Sequence, residues 1–328
     1  MTLKDEQYYS EGVLAQDKRI VAKTITLIES SLGQHQLVAR QVINRLLPET
    51  GKAVRLGISG VPGAGKSTFI ESLGTLLVEK GHRVAVLAVD PSSKRSGGSV
   101  LADKTRMEKL SVAENAFIRP SPSGGTLGGV ARKTRETMLV CEAAGYDVMI
   151  VETVGVGQSE TTVASMVDFF LLLMIAGAGD ELQGIKKGVL EVADAIAVNK
   201  ADGDNVERAE RACQQCENAL HYLTPASPVW TPRAMTCSSL KLDNPGILKI
   251  WETILEHRRL YLESGALEDK RRQQALDWMW SLLKEGLRKR FFTNPNIVKR
   301  LPQMTRGVEK GEITPTAAAD ELLFSLDK

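Results

Sequence analysis

Cysteine is scarce in this chain, with four residues among 328. That number cannot build a disulfide framework in a chain of this length. Two of the cysteines, Cys213 and Cys216, have the C-x-x-C spacing that occurs in redox and zinc sites. They lie in a polar stretch, 205–223, for which we predict a helix, and His221 is the only further candidate ligand nearby. We therefore interpret them as ordinary helix residues.

A strong excess of charge is also missing, because 42 Lys and Arg residues face 40 Asp and Glu residues. This balance argues against nucleic acid or an anionic membrane as the main partner. The longest apolar run, 169–178, covers about half of a membrane span and predicts a buried strand instead. The first residues include Lys4, Asp5 and Glu6 where an export signal needs an apolar block, so a cytoplasmic protein is expected.

The most informative stretch, residues 60–67, fits the phosphate-loop pattern G-x-x-x-x-G-K-[ST]. It reads Gly60, Val61, Pro62, Gly63, Ala64, Gly65, Lys66 and Ser67. The glycines allow backbone N–H groups to surround phosphate oxygens, Lys66 can reach the β- and γ-phosphates, and the Ser67 hydroxyl can bind Mg²⁺. A strand is predicted before the loop, and a helix from Thr68 directs its N-terminus at the phosphates.

Seven apolar runs alternate with helical patterns between residues 53 and 239. The runs are 54–59, 84–89, 116–118, 147–151, 169–175, 195–198 and 229–236. This alternation predicts an α/β fold with a mainly parallel sheet covered by helices on both faces. Helical periodicity before and after it predicts an N-terminal extension (1–50), a P-loop domain (51–262) and a C-terminal helical arm (263–328).

Acidic residues follow two of the predicted strands, where ligands bind in such sheets. Asp90 can hold Mg²⁺, although it can equally be a turn residue, and the role of Asp103 stays open on the sequence alone. Glu152 and Gly155 occupy the place of the D-x-x-G motif of many GTPases. The glutamine that often follows the glycine is displaced to Gln158, so no water-orienting role is assigned to it.

A base-reading motif follows the sixth run. Asn199, Lys200 and Asp202 form N-K-x-D, in which the Asp202 carboxylate accepts two N–H donors from the edge of guanine. Backbone N–H groups of Cys237, Ser238 and Ser239 can meet the guanine carbonyl, where many GTPases have Ser-Ala. GTP and GDP are therefore the predicted ligands.

With these motifs the chain resembles the bacterial MeaB or ArgK family, which is related to human MMAA. The resemblance is carried by residues 60–67, 90–93, 96–99, 103–107, 152–160, 179–187 and 199–202. The strings ETVGVGQSE and DELQGIKK are far more specific than a phosphate loop. The terminal arms match only in helical character and length.

The resemblance implies Mg-dependent GTP hydrolysis that gates cofactor delivery to an adenosylcobalamin-dependent mutase, methylmalonyl-CoA mutase above all, and protects that enzyme. It implies metal-site roles for Ser67, Asp90, Asp103 and Glu152. It also implies a partner-responsive switch around 180–187, in which Lys186 acts, and a C-terminal arm that forms a homodimer.

Two other functions compete with this one. The first is a P-loop kinase linked to amino-acid transport, against which the guanine-reading N-K-A-D motif argues. The second is a nickel-insertion GTPase, which usually carries His-rich or Cys/His metal stores. The four histidines of this chain (His35, His82, His221 and His257) are scattered instead.

Overall fold

The computed structural model of the chain describes residues 3–89, 107–120, 127–153, 159–176, 187–223, 227–240 and 245–325. Asp90, Asp103, Gly155, Gln158 and Lys186 lie outside these stretches. The chain divides into two compact units, Met1–Arg271 and Arg272–Lys328. The domain boundaries predicted at 50/51 and 262/263 stay predictions. In the described stretches, no helix has the length and apolar character needed to cross a membrane.

The first unit is built on a seven-stranded sheet in which all strand pairs are parallel. The strands are β1 Val54–Gly60, β2 Val84–Val89, β3 Ala116–Pro120, β4 Val148–Thr153, β5 Phe169–Ile175, β6 Ala195–Asn199 and β7 Arg233–Thr236. Their order across the sheet is β3-β2-β4-β1-β5-β6-β7. The predicted α/β fold is confirmed.

The helices follow the amphipathic segments of the sequence. They are α1 Glu6–Leu14, α2 Lys18–Glu29, α3 Gly33–Leu46, α4 Lys66–Glu79, α5 Glu108–Val112, α6 Leu127–Ala143, α7 Ser159–Ala164, α8 Lys187–Leu190, α9 Val206–His221, α10 Pro245–Glu263, α11 Ala266–Thr293, α12 Pro295–Glu309 and α13 Pro315–Phe324. Short 3₁₀ turns lie at Leu47–Glu49 and Gly203–Asn205.

Both faces of the sheet are buried, as the unbroken apolar runs predict. Along β5, Leu171 and Leu173 pack into a core with α4 and α10, whereas Phe170 and Leu172 pack into a second core with α7 and α9. Successive side chains of a strand point to opposite faces, so a strand covered on both faces, such as β5, carries consecutive apolar residues. This explains why these strands lack the alternating pattern of a half-exposed sheet.

The last strand begins later than the sequence predicts. The run 229–236 was expected to be one strand, but β7 starts at Arg233. Pro232 has no N–H to donate to a neighbouring strand. Trp230 pairs instead with Ser227 in an isolated antiparallel bridge, and its indole Nε1 donates to the Asp194 carbonyl at 2.8 Å. The apolar character of this segment therefore reflects a buried tryptophan rather than a longer strand.

The N-terminal helices pack against the sheet domain through a third apolar core. Ile25 and Val42, both fully buried, share it with Cys141 of α6 and Met149 of β4. The helical pattern of the first 50 residues is thus confirmed, and its apolar face covers α6 and its neighbours.

In the second unit, α12 and α13 enclose a small apolar core that includes Ile297 and Leu322. Thr314 and Pro315 begin the last helix, where the Thr314 hydroxyl accepts a hydrogen bond from the backbone N–H of Ala317 at 3.2 Å. Helix α12 was not predicted. Its start carries the same signal, an Asn294 cap followed by a proline in the first turn.

Candidate functional site

The phosphate loop joins β1 to α4, and two of its glycines are required by geometry. A Cβ at Gly60 would lie 2.3 Å from the carbonyl oxygen of Leu173, so only glycine fits between β1 and β5. Gly65 caps α4 with a φ of +84°, in the left-handed region that side chains disfavour. The N-terminus of α4 therefore opens directly into the loop, where its free N–H groups favour a phosphate.

Lys66 is the first residue of α4, and its ammonium group turns back over the loop. The Nζ atom donates to the carbonyl oxygen of Gly60 at 2.8 Å. Burial lowers the pKa of Lys66 below its ordinary value, and the negative charges of Glu152 and Glu160 partly oppose this shift. The lysine is thus a half-buried cation beside two carboxylates at the carboxyl ends of the strands.

Glu152 and Ser67 come together beside the phosphate loop. Glu152 lies opposite Ile58 in the β1–β4 register, which brings its carboxylate to the loop. The Ser67 hydroxyl lies 3.4 Å from Glu152 Oε1. A hydroxyl and a buried carboxylate are hard oxygen ligands of the type that Mg²⁺ takes beside phosphates and water. In the described stretches, no group of three or more His, Cys, Asp or Glu side chains forms a metal cluster.

Thr153 and Glu160 lie close to the residues of this site, and neither was predicted as a site residue. The Thr153 hydroxyl donates to Ser59 Oγ at 2.8 Å, which joins β4 to β1 beside Glu152. Glu160, in the first turn of α7, is 4% exposed and acts electrostatically on Lys66. Its signal in the sequence was its place at the end of the ETVGVGQSE string. Thr68, predicted to bind nucleotide, is exposed on the first turn of α4.

The base-reading motif lies at the end of β6, next to the phosphate loop. Asn199 is 1% exposed, and its Nδ2 donates to the carbonyl oxygen of Ala64 at 2.8 Å. Lys200 is exposed and has a φ of +60°, a conformation supported by a hydrogen bond from Asn205 Nδ2 to its carbonyl oxygen. Asp202 follows as a half-buried carboxylate. The motif is therefore in direct contact with the phosphate loop.

The segment after β7 completes this side of the site. The Ser238 hydroxyl donates to Asp202 Oδ2, and the Ser239 hydroxyl donates to Asn199 Oδ1 at 2.7 Å. The Cys237 thiol also lies 3.6 Å from Asn199 Oδ1, and burial raises the pKa of that thiol to about 12. These three residues were predicted to contribute backbone N–H groups to the guanine carbonyl. The Cys237 N–H donates instead to the carbonyl oxygen of Val198 at 2.9 Å, which corrects the prediction for that residue. The structure shows that the side chains of all three contact Asn199 or Asp202.

The cysteines of the C-x-x-C sequence lie away from these residues, on α9. Cys216 is buried, with its Sγ 3.7 Å from Met174 Sδ, and Cys213 is half-buried. Burial, together with neighbouring acidic side chains, raises the pKa of each thiol to about 11. Both thiols are therefore protonated at neutral pH, which makes them poor nucleophiles and poor metal ligands.

The phosphate loop, Glu152 and the N-K-x-D motif therefore converge at the carboxyl ends of β1, β4 and β6. Asp90, Asp103, Gly155 and Lys186 lie outside the described residues. A half-buried lysine, a hydroxyl–carboxylate pair and the Asp202 carboxylate of the N-K-x-D motif together suit the binding and hydrolysis of a guanine nucleotide.

Comparison with known proteins agrees with this chemistry. The model of the family described as methylmalonyl Co-A mutase-associated GTPase MeaB matches residues 21–296. The GTPase ArgK of Escherichia coli is 47% identical over 93% of this chain and 92% of its own length. A mouse protein named methylmalonic aciduria type A homolog, mitochondrial, is 46% identical over 95% of this chain and 77% of its own.

A solved structure of a protein named LAO/AO transport system kinase is similar over the full length of both chains. It has a TM-score of 0.80 and 39% sequence identity. The family match, the identities and the converging nucleotide-binding residues lead to one conclusion: the chain belongs to the methylmalonyl-CoA mutase-associated GTPase family and is a GTPase that binds guanine nucleotides.

Proposed function

We propose that this GTPase is a chaperone of an adenosylcobalamin-dependent acyl-CoA mutase, with methylmalonyl-CoA mutase as the client. GTP hydrolysis would gate the delivery of the cofactor to the mutase and protect the loaded enzyme. The observation that carries this proposal is the family match over residues 21–296, whose description names an association with that mutase. The name of the mouse relative, which refers to methylmalonic aciduria, is consistent with the same client.

Magnesium is the proposed metal, and Ser67 and Glu152 are its proposed protein ligands. The 3.4 Å separation of their oxygens and the burial of the carboxylate support this assignment. The resemblance adds Asp90 and Asp103. When bound, the ion would neutralise charge on the phosphate oxygens during hydrolysis.

The other roles in nucleotide binding and hydrolysis are assigned to side chains and backbone N–H groups of the protein. Lys66 stabilises negative charge at the β- and γ-phosphates, and the N–H groups of the loop orient them. Gly155 is proposed to contribute an N–H to the γ-phosphate. Asn199, Lys200 and Asp202 hold the base at the other end of the nucleotide. With these roles, the protein positions the nucleotide and stabilises the negative charge on its phosphates, and it forms no covalent bond with the nucleotide.

The client must sense which nucleotide is bound, and we propose that residues 177–188 transmit this information. The proposal rests on the family resemblance, and Lys186 is the residue expected to reach the nucleotide or the active-site carboxylates when the mutase binds. An element of this kind needs two arrangements that the γ-phosphate and the client favour to different extents.

The two competing functions are less well supported. A kinase linked to amino-acid transport corresponds to the name of the protein in the similar solved structure. A kinase that uses ATP gains nothing from Asp202, whereas the family description names a GTPase. A nickel-insertion GTPase would need a metal store, for which several histidines must lie together. Here His82 is hydrogen-bonded to Asp147, His35 is hydrogen-bonded to Ser30, and His257 is buried among aromatic rings.

A second copy of the chain is the proposed partner of the C-terminal arm. Met279, Leu283 and Leu287 lie on one side of α11, and each is about half exposed in the single chain. Such a stripe is usually covered in a stable assembly. Sedimentation should therefore give twice the mass of one chain, and Leu283→Glu should halve it. Leu240→Glu, outside the arm, is the matched control.

The test of the client is a pull-down from cells of the source organism. The tagged protein is loaded with GTP or GDP, and Asp202→Ala serves as a control that is expected to bind the nucleotide much more weakly. Recovery of an acyl-CoA mutase in amounts that differ between GTP and GDP supports the proposal. Recovery of no mutase with either nucleotide contradicts it.

A further inference from the structure

Ser239 stands where many GTPases have alanine, and its side chain makes a contact that alanine cannot make. Its hydroxyl is buried and donates to Asn199 Oδ1 at 2.7 Å. Asn199 donates in turn to the carbonyl oxygen of Ala64 in the phosphate loop at 2.8 Å. The two ends of one amide therefore connect the segment after β7 with the phosphate loop.

A fourth residue fixes the same segment from the other side. Ser72, in the second turn of α4, is 4% exposed, and its hydroxyl donates to the carbonyl oxygen of Ser239 at 2.7 Å. Ser72 and Ser239 are 167 positions apart in sequence, so this contact is created by the fold. These contacts form a closed ring. Helix α4 contacts the segment after β7, this segment contacts the end of β6, and the end of β6 contacts the phosphate loop, from which α4 starts.

The orientation of the Asn199 amide depends on these donors. Its oxygen must face Ser239 and Cys237 for its NH₂ group to face Ala64. A thiol is a weak donor at 3.6 Å, so the Ser239 hydroxyl is the stronger of the two groups that hold the oxygen in place. Gly65 adds a steric limit, because a Cβ there would lie 2.8 Å from Asn199 Nδ2.

We propose that Ser72 and Ser239 are positioning residues of the guanine site: they form a buried brace that holds Asn199 against the phosphate loop. The proposal rests on the assignment of Asn199 and Asp202 to guanine. We expect the brace to act on nucleotide affinity rather than on hydrolysis, because its hydrogen bonds run through Asn199 to Ala64. Without it, nucleotide binding must reorder Asn199 and the loop.

The test is calorimetric titration of wild type and variants with GDP, IDP and ADP. Ser239→Ala should weaken GDP and IDP by the same factor, about five- to tenfold, which corresponds to one net hydrogen bond. Ser72→Ala should act in the same direction. The double variant should lose less than the product of the two factors, because both substitutions loosen one brace. For Ser72→Ala, the turnover number at saturating GTP should be unchanged.

Two controls separate positioning from other effects. Ser238→Ala removes a donor to Asp202, which reads the 2-amino group that inosine lacks, so it should change the ratio of GDP to IDP affinity. Ser10→Ala removes an equally buried serine hydroxyl from α1, where it donates to the Glu6 carbonyl at 2.8 Å. It should lower stability without changing nucleotide affinity.

If Ser239→Ala and Ser72→Ala both bind GDP within twofold of wild type, the brace is purely structural and the proposal is wrong. If wild type binds ADP as tightly as GDP, the guanine assignment itself fails, and the brace fails with it. Equal losses of GDP and IDP affinity in both variants, with an unchanged turnover number for Ser72→Ala, support the proposal.

Discussion

Arg271 donates two parallel hydrogen bonds to the carboxylate of Asp168, from Nε at 2.8 Å and from Nη2 at 2.7 Å. The backbone N–H of Arg55 adds a third at 2.9 Å. Asp168 directly precedes β5, and Arg271 lies near the start of α11. Burial alone would raise the pKa of Asp168, but the hydrogen bonds and charge of Arg271 outweigh it and hold the pKa below its ordinary value.

We expect Asp168→Ala to reduce the free energy of unfolding by about 3–5 kcal/mol, because it leaves the guanidinium group of Arg271, whose side chain is only 16% exposed, without its partner. Urea unfolding at neutral pH measures the loss. Glu256→Ala removes the partner of Arg233 in an exposed pair and should cost about 1 kcal/mol or less. Equal losses of stability in Asp168→Ala and Glu256→Ala would contradict this account.

The contribution of Asp168 to stability also depends on pH. Since the pKa of Asp168 is lowered on folding, its stabilisation persists at neutral pH and is lost in acid, below its ordinary pKa of 3.8.

His257 should make the protein sensitive to mild acid. Its ring is stacked on Tyr261 with centroids 4.0 Å apart, and burial, reinforced by the charge of Lys270, lowers its pKa to about 3. Between that value and about 6.5 the unfolded chain binds a proton that the folded protein does not. Stability therefore falls as the pH drops below about 6.5, by up to about 1.4 kcal/mol per pH unit from this group.

The measurement is urea unfolding of wild type and His257→Gln between pH 6.5 and 5. The variant should lose this part of the pH dependence, even if it is less stable at every pH. The matched control is His221→Gln, at an exposed position on α9. A variant that keeps the full slope of wild type would show that His257 is not the group responsible.

Much of the nucleotide site could be predicted from the sequence because its signals are local. The phosphate loop is a strand, a turn and a helix in consecutive residues, and N-K-x-D follows directly on β6. Parallel strands place their carboxyl ends at one edge, so the order of motifs was enough to bring Lys66, Glu152 and Asn199 together.

The contacts that could not be predicted join residues far apart in the chain. Ser72 meets Ser239 across 167 positions, and Asp168 meets Arg271 across 103 positions. No periodicity or spacing encodes these pairs. The late start of β7 is different, because the sequence does contain a signal for it. Pro232 disfavours a strand at that position, but the run 229–236 was read as one strand because of its apolar residues, which include Trp230.

Asp202 should decide which base is bound. Two hydrogen bonds to a charged carboxylate contribute about 1.5–3 kcal/mol each, so Asp202→Ala should weaken GTP binding by about 10²- to 10⁴-fold. Asp202→Asn should shift the preference toward xanthosine nucleotides, because an amide offers one donor and one acceptor. Competition titrations with GTP, XTP and ATP measure both effects. A preference for GTP that survives Asp202→Ala would contradict the assignment.

Glu152 should control the magnesium requirement. Glu152→Gln keeps the shape of the side chain and removes its charge, so the Mg²⁺ concentration for half-maximal hydrolysis should rise on the order of tenfold. Thr153→Val is the neighbouring control, because it removes the hydrogen bond to Ser59 and leaves the carboxylate in place. A Mg²⁺ titration that is the same for wild type and Glu152→Gln would remove Glu152 from the metal site.

The most direct test of the central claim is the rate of GTP hydrolysis with and without the client. No glutamine follows Gly155 directly, so we expect the isolated protein to turn over more slowly than about 1 s⁻¹. Purified methylmalonyl-CoA mutase from the same organism should accelerate hydrolysis on the order of tenfold or more, by completing the site. A rate that the mutase leaves unchanged, over a range of concentrations that saturates any complex, would contradict the proposed function.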